Sequence, residues 1–205
     1  MKHLLLPSQP RDGRLIWPGK YCDDHALAAK RFRDIGSQNA LIFLRSSFGA
    51  PKVLHLPRCA PSVSHDALEV FDCCLRVAIQ HITNSNLSDI QWLQASLIVK
   101  DGGLGVRRVS SLAIPAYVAS AASILTLQAE ILSGCNCSDN SYLEQYLSLW
   151  SSSSGAIPNT LPGKQPFWDR PGIRHTVENS LSSPIQQAAF LAATSRHSVL
   201  WTAAR

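Results

Sequence analysis

Two kinds of residue in this chain could do chemistry: adjacent carboxylates, and cations set beside glycines. Tyr21-Cys22-Asp23-Asp24 places two carboxylates behind an aromatic residue. Such a box holds divalent metal for phosphoryl transfer when apolar strands project both carboxylates into one site. The flanks here are Trp17-Pro18-Gly19-Lys20 and His25-Ala26-Leu27-Ala28-Ala29-Lys30, the second of which is a helical pattern. Asp23 or Asp24 is therefore read as the cap of a helix starting at His25. The second feature is Lys100-Asp101-Gly102-Gly103-Leu104-Gly105-Val106-Arg107-Arg108. A turn with Gly102, Gly103 and Gly105 could offer backbone N–H groups to a phosphate, with Arg107 and Arg108 adding charge. The Gly-Lys-Ser/Thr ending of a P-loop and the dinucleotide spacing are both missing. The competing reading is a tight turn that lets Leu104 and Val106 pack.

Other chemistries find less support. His55, His65 and His81 have no ligand partner at metal spacing, and Cys135-x-Cys137 lacks the gap and second ligand pair of a zinc site. No metal and no cofactor is expected. No strand–nucleophile–helix elbow such as Gly-x-Ser-x-Gly accompanies the serines and histidines. The six cysteines (Cys22, Cys59, Cys73, Cys74, Cys135, Cys137) show no disulfide rhythm and read as reduced thiols of an intracellular protein, nuclear or cytoplasmic.

The elements that must position these residues are helical. Charged residues make up 16% of the chain, low against roughly 25% for globular proteins, and 45% are hydrophobic; this excludes a largely disordered chain. Residues 1–22 read as an irregular lead-in. A helix from His25 ends at Gly36; Ser37 caps the next, with Leu41, Leu44 and Phe48 on one stripe. Residues 52–62, with Pro57 and Pro61, read as a connector. Ser64 then opens the clearest helix, with Leu68, Phe71, Leu75, Ala78 and Ile82 at spacings of three and four, closed by Asn84-Ser85-Asn86. Ser88-Asp89 starts a short helix through Trp92 and Ala95. Val109 to Ala129 carries no charge and could span a bilayer by length. Its serines, threonine and Gln128 favour a buried core helix instead, with Pro115 acceptable only in the first turn. Asp139 to Trp150 reads as another helix, residues 151–171 as a Ser/Pro/Gly-rich linker or surface loop, and Arg174 to Ala204 as a last helical region broken near Ser183-Pro184. The expected fold is mainly α: an irregular bundle of about five to seven helices, with a compact part over 23–134 and a looser C-terminal part over 135–205. No membrane partner is expected.

Three segments in order carry a resemblance. The first is Asn39-Ala40-Leu41-Ile42-Phe43-Leu44-Arg45, continuing through Ala50-Pro51-Lys52-Val53-Leu54-His55-Leu56-Pro57-Arg58-Cys59-Ala60-Pro61. The second is the helix with Leu68, Phe71, Asp72 and Leu75. The third runs from Trp92-Leu93-Gln94-Ala95 through Gly102-Gly103-Leu104-Gly105-Val106-Arg107 to Ala113-Ile114-Pro115-Ala116. Together, over about residues 37–125, they resemble the region that follows the palm in non-LTR retrotransposon reverse transcriptases, where the chain enters the thumb. Each piece is weak alone; the ordered combination is more specific.

The resemblance implies a thumb-like module in which Arg45, Lys52, Arg58, Arg107 and Arg108 track the backbone of an RNA–DNA hybrid or duplex, weakly and without sequence preference. The charge distribution agrees: residues 1–110 hold 14 Lys/Arg against 9 Asp/Glu, and residues 111–205 hold five of each. Polymerisation is not expected. Fingers and palm of about 150–250 residues would precede the first matching segment, and only 36 residues do. A helical remnant that only packs against protein is the alternative.

Overall fold

The computed structural model describes residues 23–24, 27–28, 30–60, 66–99, 103–131 and 141–171. The proposed lead-in 1–22 and the last helical region from Arg174 lie outside them. All regular structure among the described residues is helical, with no strand. After a 3-10 turn at Phe32–Asp34 come α1 (Ser37–Phe43), which continues as a π turn over Leu44–Phe48, α2 (Ala50–Val53) and α3 (His55–Cys59). Then follow α4 (Asp66–Thr83), α5 (Asp89–Ala95), α6 (Val109–Ile131), α7 (Ser141–Ser154) and α8 (165–171).

Local chemistry accounts for most boundaries. The α4 stripe is buried along its whole length, with Phe71, Leu75 and Ile79 sealed from solvent. Asn84 ends α4 in the left-handed region at φ 49°, and Ser85 N–H donates to the Gln80 carbonyl at 3.1 Å, the six-to-one bond of a Schellman cap. Ser88 and Gln91 form a reciprocal capping box at the start of α5, at 3.3 and 2.9 Å. Arg76 of α4 fastens this junction, donating to the Leu87 carbonyl and pairing with Asp89 at 2.7 Å.

Four expectations need correction. Ser37 is the first residue of α1 rather than its cap; Gly36 holds the cap position, and Ser37 Oγ donates to the Ile82 carbonyl of α4 at 3.0 Å. Residues 52–60 are largely helical rather than a connector. Pro51 and Pro57 sit in first turns, where the N–H that proline lacks has no helical partner to lose. Pro115, the seventh residue of α6, lies beyond its first turn. The carbonyl it deprives of a donor belongs to Ser111, which is exposed and can use solvent instead. Finally, 151–171 is more than a linker. Helix α7 runs on to Ser154, and α8 brings Trp168 to complete burial.

Helix α6 organises the packing. Its first turns join the main core, where Val109, Leu112 and Ala113 meet Leu44, Val53, Phe71, Leu75 and Trp92. Its middle, through Val118 and Ala119, meets Leu143, Tyr146, Trp150 and Trp168 in a second core. Trp150 Nε1 donates to the Trp168 carbonyl at 2.7 Å and Trp168 Nε1 donates to that of Pro162 at 2.6 Å. Both indoles can therefore be buried without an unpaired donor. The last two turns of α6 leave the core, exposing Ile124, Leu127 and Ile131. Length and apolar composition alone would let this helix cross a membrane.

Candidate nucleic-acid interface

The glycine turn that links α5 to α6 is held by its own backbone. Gly103 N–H donates to the Ile98 carbonyl at 3.2 Å, Leu104 N–H to Ala95 at 3.1 Å and Gly105 N–H to Leu97 at 2.9 Å. All three donors point into the chain, which leaves none of them for a phosphate oxygen. The glycines serve geometry. A Cβ on Gly103 would lie 2.1 Å from the Leu97 carbonyl oxygen, and Gly105 sits at φ +75°, where side chains are strained. The phosphate cradle proposed for Gly102, Gly103 and Gly105 therefore has no N–H group from residues 103–105, and Gly102 lies outside the described residues. Val106, beyond the turn, is buried in the main core, with Leu104 packed against it.

The start of α6 already holds an anion, and it comes from the chain itself. Asp72 of α4 accepts from Val109 N–H at 2.6 Å, from Ser110 N–H at 3.1 Å and from Ser110 Oγ at 2.5 Å. A carboxylate at this end satisfies orphan donors and complements the helix dipole. Burial nevertheless pushes the Asp72 carboxyl above the ordinary carboxylate range; the Ser110 and Val109 hydrogen bonds and the nearby Arg108 charge offset this only in part. Arg108 lies at the same recess as Asp72 and Arg76, which holds about 430 Å³, and its buried Nε has no hydrogen-bond partner.

The five candidate cations do not form one row. Arg45 and Arg107 line a recess of about 180 Å³ together with Gly105, Gln165 and Asp169. Arg45 is exposed at the π turn that ends α1, with its aliphatic stem over Gly105. Arg107 is held by Asp169 at 2.5 Å, with side-chain exposures of only 16% and 9%. Arg58 donates to Gln165 Oε1 at 2.9 Å, which brings it to the edge of the same recess. Lys52 pairs with Asp24 at 3.1 Å and stands 5.5 Å from the centre of the Phe48 ring. Arg108 belongs to the separate Asp72 recess. The structure thus gathers Arg45, Arg58 and Arg107 and sets Lys52 and Arg108 apart.

Asp23 and Asp24 themselves lie in helical backbone, so neither is the cap of a helix starting at His25, and Asp24 pairs with Lys52. Among the described residues no group of three or more His, Cys, Asp or Glu is placed to hold a metal ion. Three residues that matter were missed from sequence: Asp72, Gln165 and Asp169. For Asp72 a signal existed, a lone acid in mid-helix between Phe71 and Cys73 on the apolar side of α4. Gln165 and Asp169 gave none, because their partners are 107 and 62 residues away. Comparison of the chain with protein-family models, with curated proteins and with solved structures returned no match.

Proposed function

We propose that this chain is a non-catalytic helical module that contacts the backbone of a nucleic-acid duplex through Arg45, Arg58 and Arg107. The observation that carries this reading is that Arg45, from the π turn after α1, and Arg107, just beyond the glycine turn, line one recess, with Arg58 of α3 bonded to Gln165 at its edge. The resemblance of residues 37–125 to the thumb side of non-LTR reverse transcriptases supports an RNA–DNA hybrid as the natural ligand. Guanidinium forks suit phosphate oxygens, and a surface of this kind reads charge and spacing rather than base identity. With two exposed arginines, one of them bonded to Gln165, and a third paired with Asp169, binding is weak, in the micromolar range or weaker at physiological salt.

Titration of a labelled RNA–DNA hybrid with the full chain at several salt concentrations tests the reading. Each neutralised phosphate contributes a slope of about −0.9 to log affinity against log salt on B-form duplex, so one to three contacts give roughly −1 to −3. Arg45→Ala should flatten the slope by nearly one contact. A salt-independent response, or a slope indifferent to Arg45, refutes it.

A second reading rests on a different observation. Ile124, Leu127 and Ile131 are exposed along the last turns of α6, with Leu127 55% accessible. Exposed apolar residues in series favour a protein-binding face. That reading predicts concentration-dependent self-association or co-purifying protein, and no salt-dependent duplex binding.

A further inference from the structure

We infer that α8 is an autoinhibitory strap, laid across the cationic recess and holding the Arg107 guanidinium away from any polyanion. The inference rests on the duplex-binding reading and concerns how that surface is regulated. Helix α8 brings two acceptors to the recess, one helical turn apart. Gln165 takes Arg58 at 2.9 Å and Asp169 takes Arg107 at 2.5 Å. A spacing of four residues puts both on one helix face. Between them Trp168 is fully buried, edge-on to Trp150 at 4.9 Å, so the strap is anchored by an indole. A carboxylate on a guanidinium occupies the position that a phosphate would take.

The partners of the strap differ in character. The Arg58–Gln165 bond is exposed and uncharged on the acceptor side, and solvent competes for it freely. The Arg107–Asp169 pair is largely buried, and a phosphate must displace a carboxylate to reach Arg107. Arg45 makes neither an ion pair nor a side-chain hydrogen bond among the described residues, and Arg58 makes only the exposed bond to Gln165, so these two make the first contacts. Release of α8 then adds Arg107, turning a surface with two available guanidinium groups into one with three.

The test compares the full-length chain with Gln165→Ala, Asp169→Asn and their combination, by anisotropy of a labelled RNA–DNA hybrid across a salt series. Asp169→Asn should steepen the slope by about 0.9, whereas Gln165→Ala removes only an uncharged acceptor and should leave the slope near wild type, so the double variant should match Asp169→Asn. Glu144→Gln, at an exposed site on α7, makes the same change in net charge as Asp169→Asn and should keep the wild-type slope. Arg107→Gln added to Asp169→Asn should return the slope to wild type. If Asp169→Asn lowers helicity by circular dichroism, Arg107→Gln alone still decides: it should leave the wild-type slope unchanged, and a slope flattened by about 0.9 would mean that Arg107 already contacts phosphate and would overturn the strap. A wild-type slope in Asp169→Asn overturns the strap and leaves duplex binding standing. No binding by any variant at the lowest salt overturns both. Binding by the variants where the wild type shows none establishes the strap.

Discussion

Removing the Asp72 carboxylate should destabilise the fold through the start of α6, and the structure allows the size to be worked out. Asp72 accepts three hydrogen bonds there, two from backbone and one from a hydroxyl. In Asp72→Ala the Val109 N–H stays buried without an acceptor, costing about 1–3 kcal/mol, while loss of a helix cap costs about 0.5–2 kcal/mol. Relief from burying a charge returns part of this, leaving a net loss of about 2–3 kcal/mol. For a chain of this size each kcal/mol lowers Tm by about 2–4 °C, so a fall of roughly 4–12 °C is expected. Asp72→Asn keeps one carbonyl oxygen for Val109 N–H and should lose less than half as much. The pH dependence carries a sign. The folded carboxyl is raised above 3.8 because desolvation outweighs its hydrogen bonds. The stability linked to its protonation is therefore fully present below 3.8 and is lost as pH rises through the folded value. The stability of wild type relative to Asp72→Asn should accordingly increase as pH falls across that window. Urea melts of both chains at several pH values measure it. A difference that shrinks toward acid would mean that the hydrogen bonds dominate and the desolvation argument fails.

Other outcomes follow from single contacts. Gly103→Ala drives a Cβ to 2.1 Å from the Leu97 carbonyl oxygen, and should cost about 1–3 kcal/mol or more by chemical denaturation. Trp168→Ala empties the centre of the second core, and should cost about 3–5 kcal/mol in the same assay while removing the near-UV signal of the Trp150–Trp168 pair. Primer extension on a homopolymer template with magnesium or manganese should stay at background; robust extension abolished by Asp23→Ala would contradict the non-catalytic reading. The expressed chain should be released from membranes by alkaline carbonate, because Val109, Leu112, Ala113, Val118 and Ala119 face its own cores.

The helices were legible where a side-chain period coincides with burial. Leu68, Phe71, Leu75, Ala78 and Ile82 mark α4, and every one of them is buried. Caps were legible where the motif is local, as with Ser88, although its reciprocal partner Gln91 emerged only from the structure. Proline misled in both directions, since Pro57 suggested a connector and Pro115 a place in the first turn of its helix. What decides a proline is whether the carbonyl one turn back has another partner, and that depends on exposure, which no local pattern states. The Ser/Pro/Gly-rich run over 151–171 hid α8 for a related reason. Seven residues carry too little periodicity to register, and Trp168 is anchored by Val118, Trp150 and Pro162 from elsewhere in the chain.

Charge was the least legible property, and the reason bears on function. A count along the chain treats every cation as open to a ligand, and on that count the first half shows a surplus of five. Folding changes what the surplus means. Lys52 meets Asp24 and Arg76 meets Asp89 within the same half, but Arg107 reaches across 62 residues to Asp169 in the neutral half. A neutral sum over residues 111–205 thus conceals an acid that lies directly on the basic surface. Any polyanion gains only the difference between its own contact with Arg107 and the carboxylate contact already present there. Affinity for a duplex therefore mixes two quantities, the contacts made and the contacts broken. The salt slope separates them, because a phosphate that replaces Asp169 releases its counterion whether or not the exchange is favourable. On the proposed reading the slope counts the guanidinium groups that reach phosphate, and of the three only Arg107 must leave a carboxylate of the chain to do so.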